Sequence, residues 1–220
     1  YEIYCANSPE YTPGEPDLRT YSHPIYFKRT STYYEFASPV TGAYTSSNTS
    51  GPARSEWRYL KNYRAGTTMR HYFKFAVISA NNNAKANIGQ IHRLAAAPLY
   101  KLTYTSKSDG TGTYRLLLKK TASSSDFAFD IGMGDKVILN NITNGDLIEV
   151  EQEWNMTAQT FKLWINSGYN NTGTPTVTLT GCQDSGFASY LKLGCYANSA
   201  GDGLPTDLFV VRVYDDRVII

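Results

Sequence analysis

Tyr190–Tyr196 reads Y-L-K-L-G-C-Y. Leu191, Leu193 and Cys195 take alternate positions, and Tyr190, Lys192, Gly194 and Tyr196 take the positions between. Successive side chains of a strand point to opposite faces. A helical turn would scatter the three apolar residues around its axis. The stretch is therefore read as a strand with one apolar face, which packs against a second layer, and one face of polar and aromatic groups.

The same period organises other segments. In Arg54–Arg58 (R-S-E-W-R), Arg54, Glu56 and Arg58 share a face opposite Ser55 and Trp57. In Gly89–His92 (G-Q-I-H), Gln90 and His92 share a face opposite Ile91. Short apolar or alternating runs recur at Tyr72–Ile78, Pro98–Tyr104, Tyr114–Lys120, Leu147–Trp154, Thr160–Ile165 and Asp207–Tyr214. Turn signals at Asp109-Gly110, Asn144-Gly145 and Gly201–Gly203 lie between them. Many strands joined by turns predict an all-β fold, a sandwich, jelly roll or barrel. No linker or repeat divides the chain, so 1–220 is read as a single domain. Residues 1–50, richer in Pro, Ser and Tyr, are expected to supply its edge strands and loops. A chain of 220 residues buries about 70% of its unfolded surface, enough for stability without a metal.

Composition narrows the function. Charged residues are 18% and aromatics 14%, with 18 Tyr; aromatic faces suit sugars as well as cores. Net charge is +2, too small for a field directed at nucleic acid. No apolar run approaches the ~20 residues of a membrane span. Cys5, Cys182 and Cys195 are either buried free thiols or one disulfide with one thiol left over, and the short connection favours pairing Cys182 with Cys195. Cys, His and Asp are scattered without the spacing of a metal site. Sequons at Asn48, Asn141, Asn155 and Asn170 are compatible with secretion, which is the expected location.

If the three strands that carry Arg54, Gln90 and Tyr196 are neighbours, their polar faces merge. The result is a cationic patch rich in hydrogen-bond donors, with a histidine and a tyrosine able to move protons. Trp57 then anchors its strand in the core while Arg54 and Arg58 are held outward. Glu56 is expected to fix the two guanidinium groups.

These three motifs, R-S-E-W-R at 54–58, Q-I-H at 90–92 and Y-L-K-L-G-C-Y at 190–196, resemble in type and order those of the alginate lyases of polysaccharide lyase family 7. Trp57 and Leu191 depart from the family pattern at inward positions, and Asn198 stands where the family usually has Gln. The resemblance implies a β-jelly roll whose concave sheet forms the substrate groove. It implies a catalytic set of Arg54, Gln90, His92 and Tyr196, with Glu56, Arg58, Tyr190, Lys192 and Asn198 binding substrate. The implied partner is an acidic polysaccharide, alginate or another polyuronate, acted on by a monomer.

The chemistry is consistent with those residue types. A uronate C5 proton is weakly acidic because the adjacent carboxylate is already negative, so its removal needs charge stabilisation. Arg54 offers a permanent cation with a fork of donors, and Gln90 a neutral donor. His92 can accept a proton near neutrality. Tyr196 starts near a pKa of ~10, and neighbouring cations favour its phenolate. Arg58 and Lys192 are expected to bind carboxylates of neighbouring sugars. No metal or organic cofactor is called for.

Two other classes compete. Glu149, Glu151 and Glu153 in E-V-E-Q-E-W share a strand face, as the carboxylates of a retaining glycoside hydrolase do; the reading preferred here is a solvated strand face. A non-catalytic carbohydrate-binding jelly roll also fits the composition, since fold does not fix function. Within the lyase reading, a different polyuronate such as glucuronan is the nearest alternative.

Overall fold

The computed structural model describes residues 2–3, 22–39, 54–59, 63, 66–93, 98–106, 114–120, 136–180 and 189–219. Among these, every regular element is a strand, and the strands form two antiparallel sheets. The first sheet runs in the order β1 (Glu2–Ile3), β4 (Arg54–Arg58), β13 (Ser189–Ser199), β6 (Lys85–Arg93), β7 (Pro98–Ser106), β8 (Tyr114–Lys120), β9 (Lys136–Ile142). The second runs β12 (Val177–Thr180), β11 (Thr160–Ile165), β10 (Ile148–Asn155), β5 (Thr68–Ser79), β14 (Phe209–Ile219), β3 (Tyr34–Ser38), β2 (Phe27–Arg29). The protein is all-β, as the alternation predicts. Of the strands described within residues 1–50, β1 and β2 are sheet edges as expected, whereas β3 lies one strand in, between β14 and β2.

The alternating apolar residues meet between the sheets. Ile91, Leu102, Leu191 and Leu193 of the first sheet and Phe36, Phe73, Phe75, Val211 and Val213 of the second are buried in one core. Trp57 is among them. Its ring meets Tyr34 at 4.8 Å and Phe36 at 5.2 Å, both edge-on, the arrangement aromatic quadrupoles favour. Its loss to alanine is worth about 3–5 kcal/mol. The indole that alternates with charged residues in R-S-E-W-R thus ties β4 to the opposite sheet.

The thiol of Cys195 lies on the same inner face, buried and free. It lies 3.5 Å from the Phe209 carbonyl oxygen of β14. This corrects the expected Cys182–Cys195 bridge: the strand period aims Cys195 into the core rather than toward a neighbouring loop. Cys5 and Cys182 lie outside the described residues, as do Asn48 and the Asp109-Gly110 turn signal.

Two of the register shifts in the first sheet adjust its outer face at the motifs. Between the pairs Leu193↔Gly89 and Tyr196↔Asn87, β13 spends one residue more than β6. Between Asn87↔Thr103 and Gly89↔Leu102, β6 spends one more than β7. An extra residue on one strand resets which side chains share a face. In β13 the break falls at Gly194, whose φ is +143°. A Cβ there would lie 2.5 Å from the Ser55 carbonyl oxygen and 2.8 Å from Glu56 Cα. Only glycine lets β4 approach β13 this closely.

Candidate active site

The sheet order β4-β13-β6-β7 brings the three motifs side by side. Register then aligns their residues in rows across the strands. One row is Arg54, Tyr196, Asn87 and Thr103; the next is Arg58, Lys192, Gln90 and Lys101; a third pairs Tyr190 with His92. Facing residues in such a row have Cβ atoms ~5 Å apart, so the described side chains of these rows build one surface.

Side-chain contacts bear this out. The Arg54 guanidinium lies over the Tyr196 ring, 4.4 Å from its centre, and the Lys101 ammonium lies 6.0 Å from the same centre. Cations over an aromatic face are attracted by its quadrupole. The His92 and Tyr190 rings are stacked, 5.1 Å apart and 16° from parallel. Gln90 Nε2 donates to Glu56 Oε1. Lys192 Nζ lies 3.8 Å from Glu56 Oε2. Thr103 Oγ1 donates to Asn87 Oδ1 at 2.8 Å, while the buried Asn87 Nδ2 has no hydrogen-bond partner.

Exposure divides the set. Arg54, His92, Lys101 and Tyr196 are partly exposed, and Asn198 is exposed. Gln90, Lys192, Glu56 and Tyr190 are buried. The partners described for Glu56 are Gln90 and Lys192, where the sequence led to an expectation of Arg54 and Arg58. The backbone of Arg58 pairs with Lys192, and its side chain lies outside the described residues. Glu56 also acts on Cys195, whose thiol is pushed well up by burial first and by this carboxylate second.

Sequence reasoning missed Asn87, Lys101 and Thr103. Lys101 and Thr103 alternate with Tyr100, Leu102 and Tyr104 in P-L-Y-K-L-T-Y, so their shared face was legible. Asn87 was not. Strict alternation back from Gln90 turns it inward, and only the bulge in β6 brings it out beside Tyr196.

The acidic triplet sits elsewhere. Glu149, Glu151 and Glu153 belong to β10 in the other sheet, where they alternate with core-facing Ile148, Val150 and Trp154. Glu149 pairs with Lys74 at 3.0 Å and Glu153 with Lys162 at 3.2 Å. Glu151 bonds Arg70 and accepts the Asn171 amide at 3.0 Å. It is only 1% exposed, so the face is ion-paired and partly covered rather than simply solvated. None of these three carboxylates joins Arg54 and Tyr196. Among the described residues, no cluster of three or more His, Cys, Asp or Glu side chains is placed to hold a metal ion.

No protein-family model matches the chain, and no curated protein matches it. Solved structures do. An alginate lyase from Pseudomonas aeruginosa superposes over 99% of this chain and 96% of its own, with a TM-score of 0.74 at 20% identity. The fold is that of alginate lyases. One from Corynebacterium sp. covers 99% of this chain and 92% of its own, TM-score 0.72, 18% identity. A family 7 alginate lyase solved in complex with its substrate, GGMG, covers 99% and 91%, TM-score 0.72, 16% identity. The architecture is shared with these enzymes at identities where residue roles must be argued from the site itself.

Proposed function

We propose that this chain is a polysaccharide lyase that cleaves alginate, a polymer of mannuronate and guluronate, by β-elimination. The observation that carries the reading is the convergence of Arg54, Gln90, His92 and Tyr196, from three distant segments, on one face of one sheet. The likeness of the fold to alginate lyases, one of them substrate-bound, supports it.

In this reading a uronate residue lies over Tyr196 with its carboxylate toward Arg54 and Gln90. A base removes the C5 proton. The electron pair of that C–H bond becomes the C4=C5 double bond, the C4–O4 bond breaks with its pair going to O4, and an acid protonates O4. Negative charge builds on the carboxylate as the proton leaves. The Arg54 cation and the Gln90 amide stabilise that charge, and one such donor is typically worth about 10²–10³ in rate. Tyr196 is the acid. His92 is the base where C5–H and O4 lie on opposite sides of the ring; where they lie on the same side, Tyr196 serves both steps in turn. Asn198, exposed at the end of the same strand, meets a neighbouring sugar. Polymers of this class are encountered outside cells, and secretion accompanies the proposal.

The test is incubation with alginate while ultraviolet absorbance is followed, because each cleavage creates a conjugated C4=C5 double bond. A steady rise supports the lyase. A rise with glucuronan and none with alginate moves the substrate to glucuronate. Binding of alginate without any rise makes the chain a carbohydrate-binding module and ends the proposal.

A further inference from the structure

Glu56 is fully buried, on the sheet face that an anionic polymer is proposed to meet. A lone carboxylate there opposes the substrate and carries a large desolvation cost. The register explains how it is kept. Glu56 faces Gly194 across β4 and β13, and Gln90 faces Lys192 across β6 and β13. To reach Gln90, Glu56 must therefore cross a whole strand. One oxygen accepts the Gln90 amide, and the other lies 3.8 Å from the Lys192 ammonium. The Lys192 side chain is only 4% exposed.

We infer that Glu56 and Lys192 are positioning residues: a buried, mutually neutralising pair that fixes the Gln90 amide, with the Lys192 charge serving Glu56 and not a substrate carboxylate. The inference rests on the lyase reading for its effect on turnover. An ionised carboxylate only accepts hydrogen bonds. Glu56 therefore forces Gln90 to present Nε2 toward it, which sets the direction of the second amide hydrogen before substrate arrives. Lys192 cancels the charge that this orientation requires, so among the described residues the local field on an incoming uronate is left to Arg54 and Lys101. This reverses the role the sequence gave Lys192, which the strand period placed on the correct face without revealing what covers it.

The decisive experiment is a double-mutant cycle with Glu56→Gln, Lys192→Met and the two combined. Thermal midpoints are read without substrate, and kcat and KM are read on alginate at several salt concentrations. Each single change takes from a buried charge the opposite charge it faces in the pair, so each lowers the midpoint and lowers kcat by about tenfold to a hundredfold. In the combined variant an amide oxygen still accepts from Gln90 and both members of the pair are neutral. Its midpoint is expected above that of either single, and its kcat within about threefold of the native protein. KM and its salt dependence stay near native in Lys192→Met. A tenfold or larger rise in KM in Lys192→Met, with midpoint and kcat unchanged, returns Lys192 to the substrate and overturns the pair. A Glu56→Gln variant with a lowered midpoint but native kcat overturns positioning. If the native protein acts on no polyuronate, the lyase reading falls alone; midpoints that simply add then refute the pair, and non-additive midpoints retain it.

Discussion

The guanidinium of Arg54 lies 4.4 Å above the ring of Tyr196, which faces it across the β4–β13 ladder. The contact needs the aromatic ring and not the hydroxyl. Tyr196→Phe should therefore keep the fold, the midpoint and alginate binding while removing turnover, because only the proton-carrying oxygen is lost. Arg54→Lys keeps a cation but loses the planar fork, and kcat should fall by about 10²-fold or more. Native turnover in Tyr196→Phe would end the acid assignment.

The same ladder depends on Gly194. A Cβ at this position meets backbone atoms of β4, at 2.5 and 2.8 Å, which cannot move aside as a flexible side chain can. The positive φ adds a strain of about 1–3 kcal/mol for a residue with a side chain. Gly194→Ala is expected to lower the thermal midpoint and to depress kcat more than the stability loss explains, since β4 carries both Arg54 and Glu56. A folded Gly194→Ala protein with native kcat would show that the separation of β4 from β13 does not set the site.

How far the sequence carried this site depends on what alternation can encode. It sorted Trp57, Ile91, Leu191 and Leu193 inward, and Arg54, Gln90, His92 and Tyr196 outward, because a period of two assigns faces directly. It failed wherever the period breaks. Asn87 faces outward only through the β6 bulge, marked in K-A-N-I-G-Q-I-H only by Gly89 and by the three-residue step from Ile88 to Ile91. β9 was passed over because V-I-L in K-V-I-L-N-N-I hides its alternation, and β12 because V-T-L-T is short. Nor does a face assignment tell exposure: Lys192 and Glu56 are on the outer face yet buried, through contacts made across strands far apart in sequence.

Acid in the carboxylate range should loosen the second sheet. The hydrogen bond from Lys74 holds the Glu149 carboxyl below its ordinary value of 4.5, outweighing the opposite push of burial, and the Gly168 amide adds to it. At Glu35 burial pushes up, but the bonds from Lys28 and Arg212 outweigh it and the net direction is down. A carboxyl with a depressed folded pKa contributes stability that is complete above the unfolded value and is lost as pH falls through the folded one. The midpoint should therefore hold near neutrality and fall as pH drops below about 4.5. The drop should be smaller in Glu149→Gln and Glu35→Gln. Because Glu149 lies in the other sheet, Glu149→Gln should leave polysaccharide turnover at neutral pH unchanged. Loss of activity in that variant would revive the hydrolase reading.

Cys195 gives a test that needs no substrate. Its thiol is buried against Phe209 of β14, and burial together with the Glu56 charge raises its pKa. The thiolate is the reactive form, so both access and ionisation protect it. N-ethylmaleimide applied to the native protein without reductant should leave the peptide bearing Cys195 unlabelled. The same reagent after unfolding, still without reductant, should label it fully, as read by mass spectrometry of the digest. A residue that labels only after reduction is in a disulfide, with Cys5 or Cys182 as its partner, which would require β13 to turn its inner face outward. Labelling in the native state would mean that β13 opens from β14. Since β13 carries Tyr196 and Lys192, that opening should speed up in parallel with the loss of turnover in Gly194→Ala, and the labelling rate of that variant measures it directly.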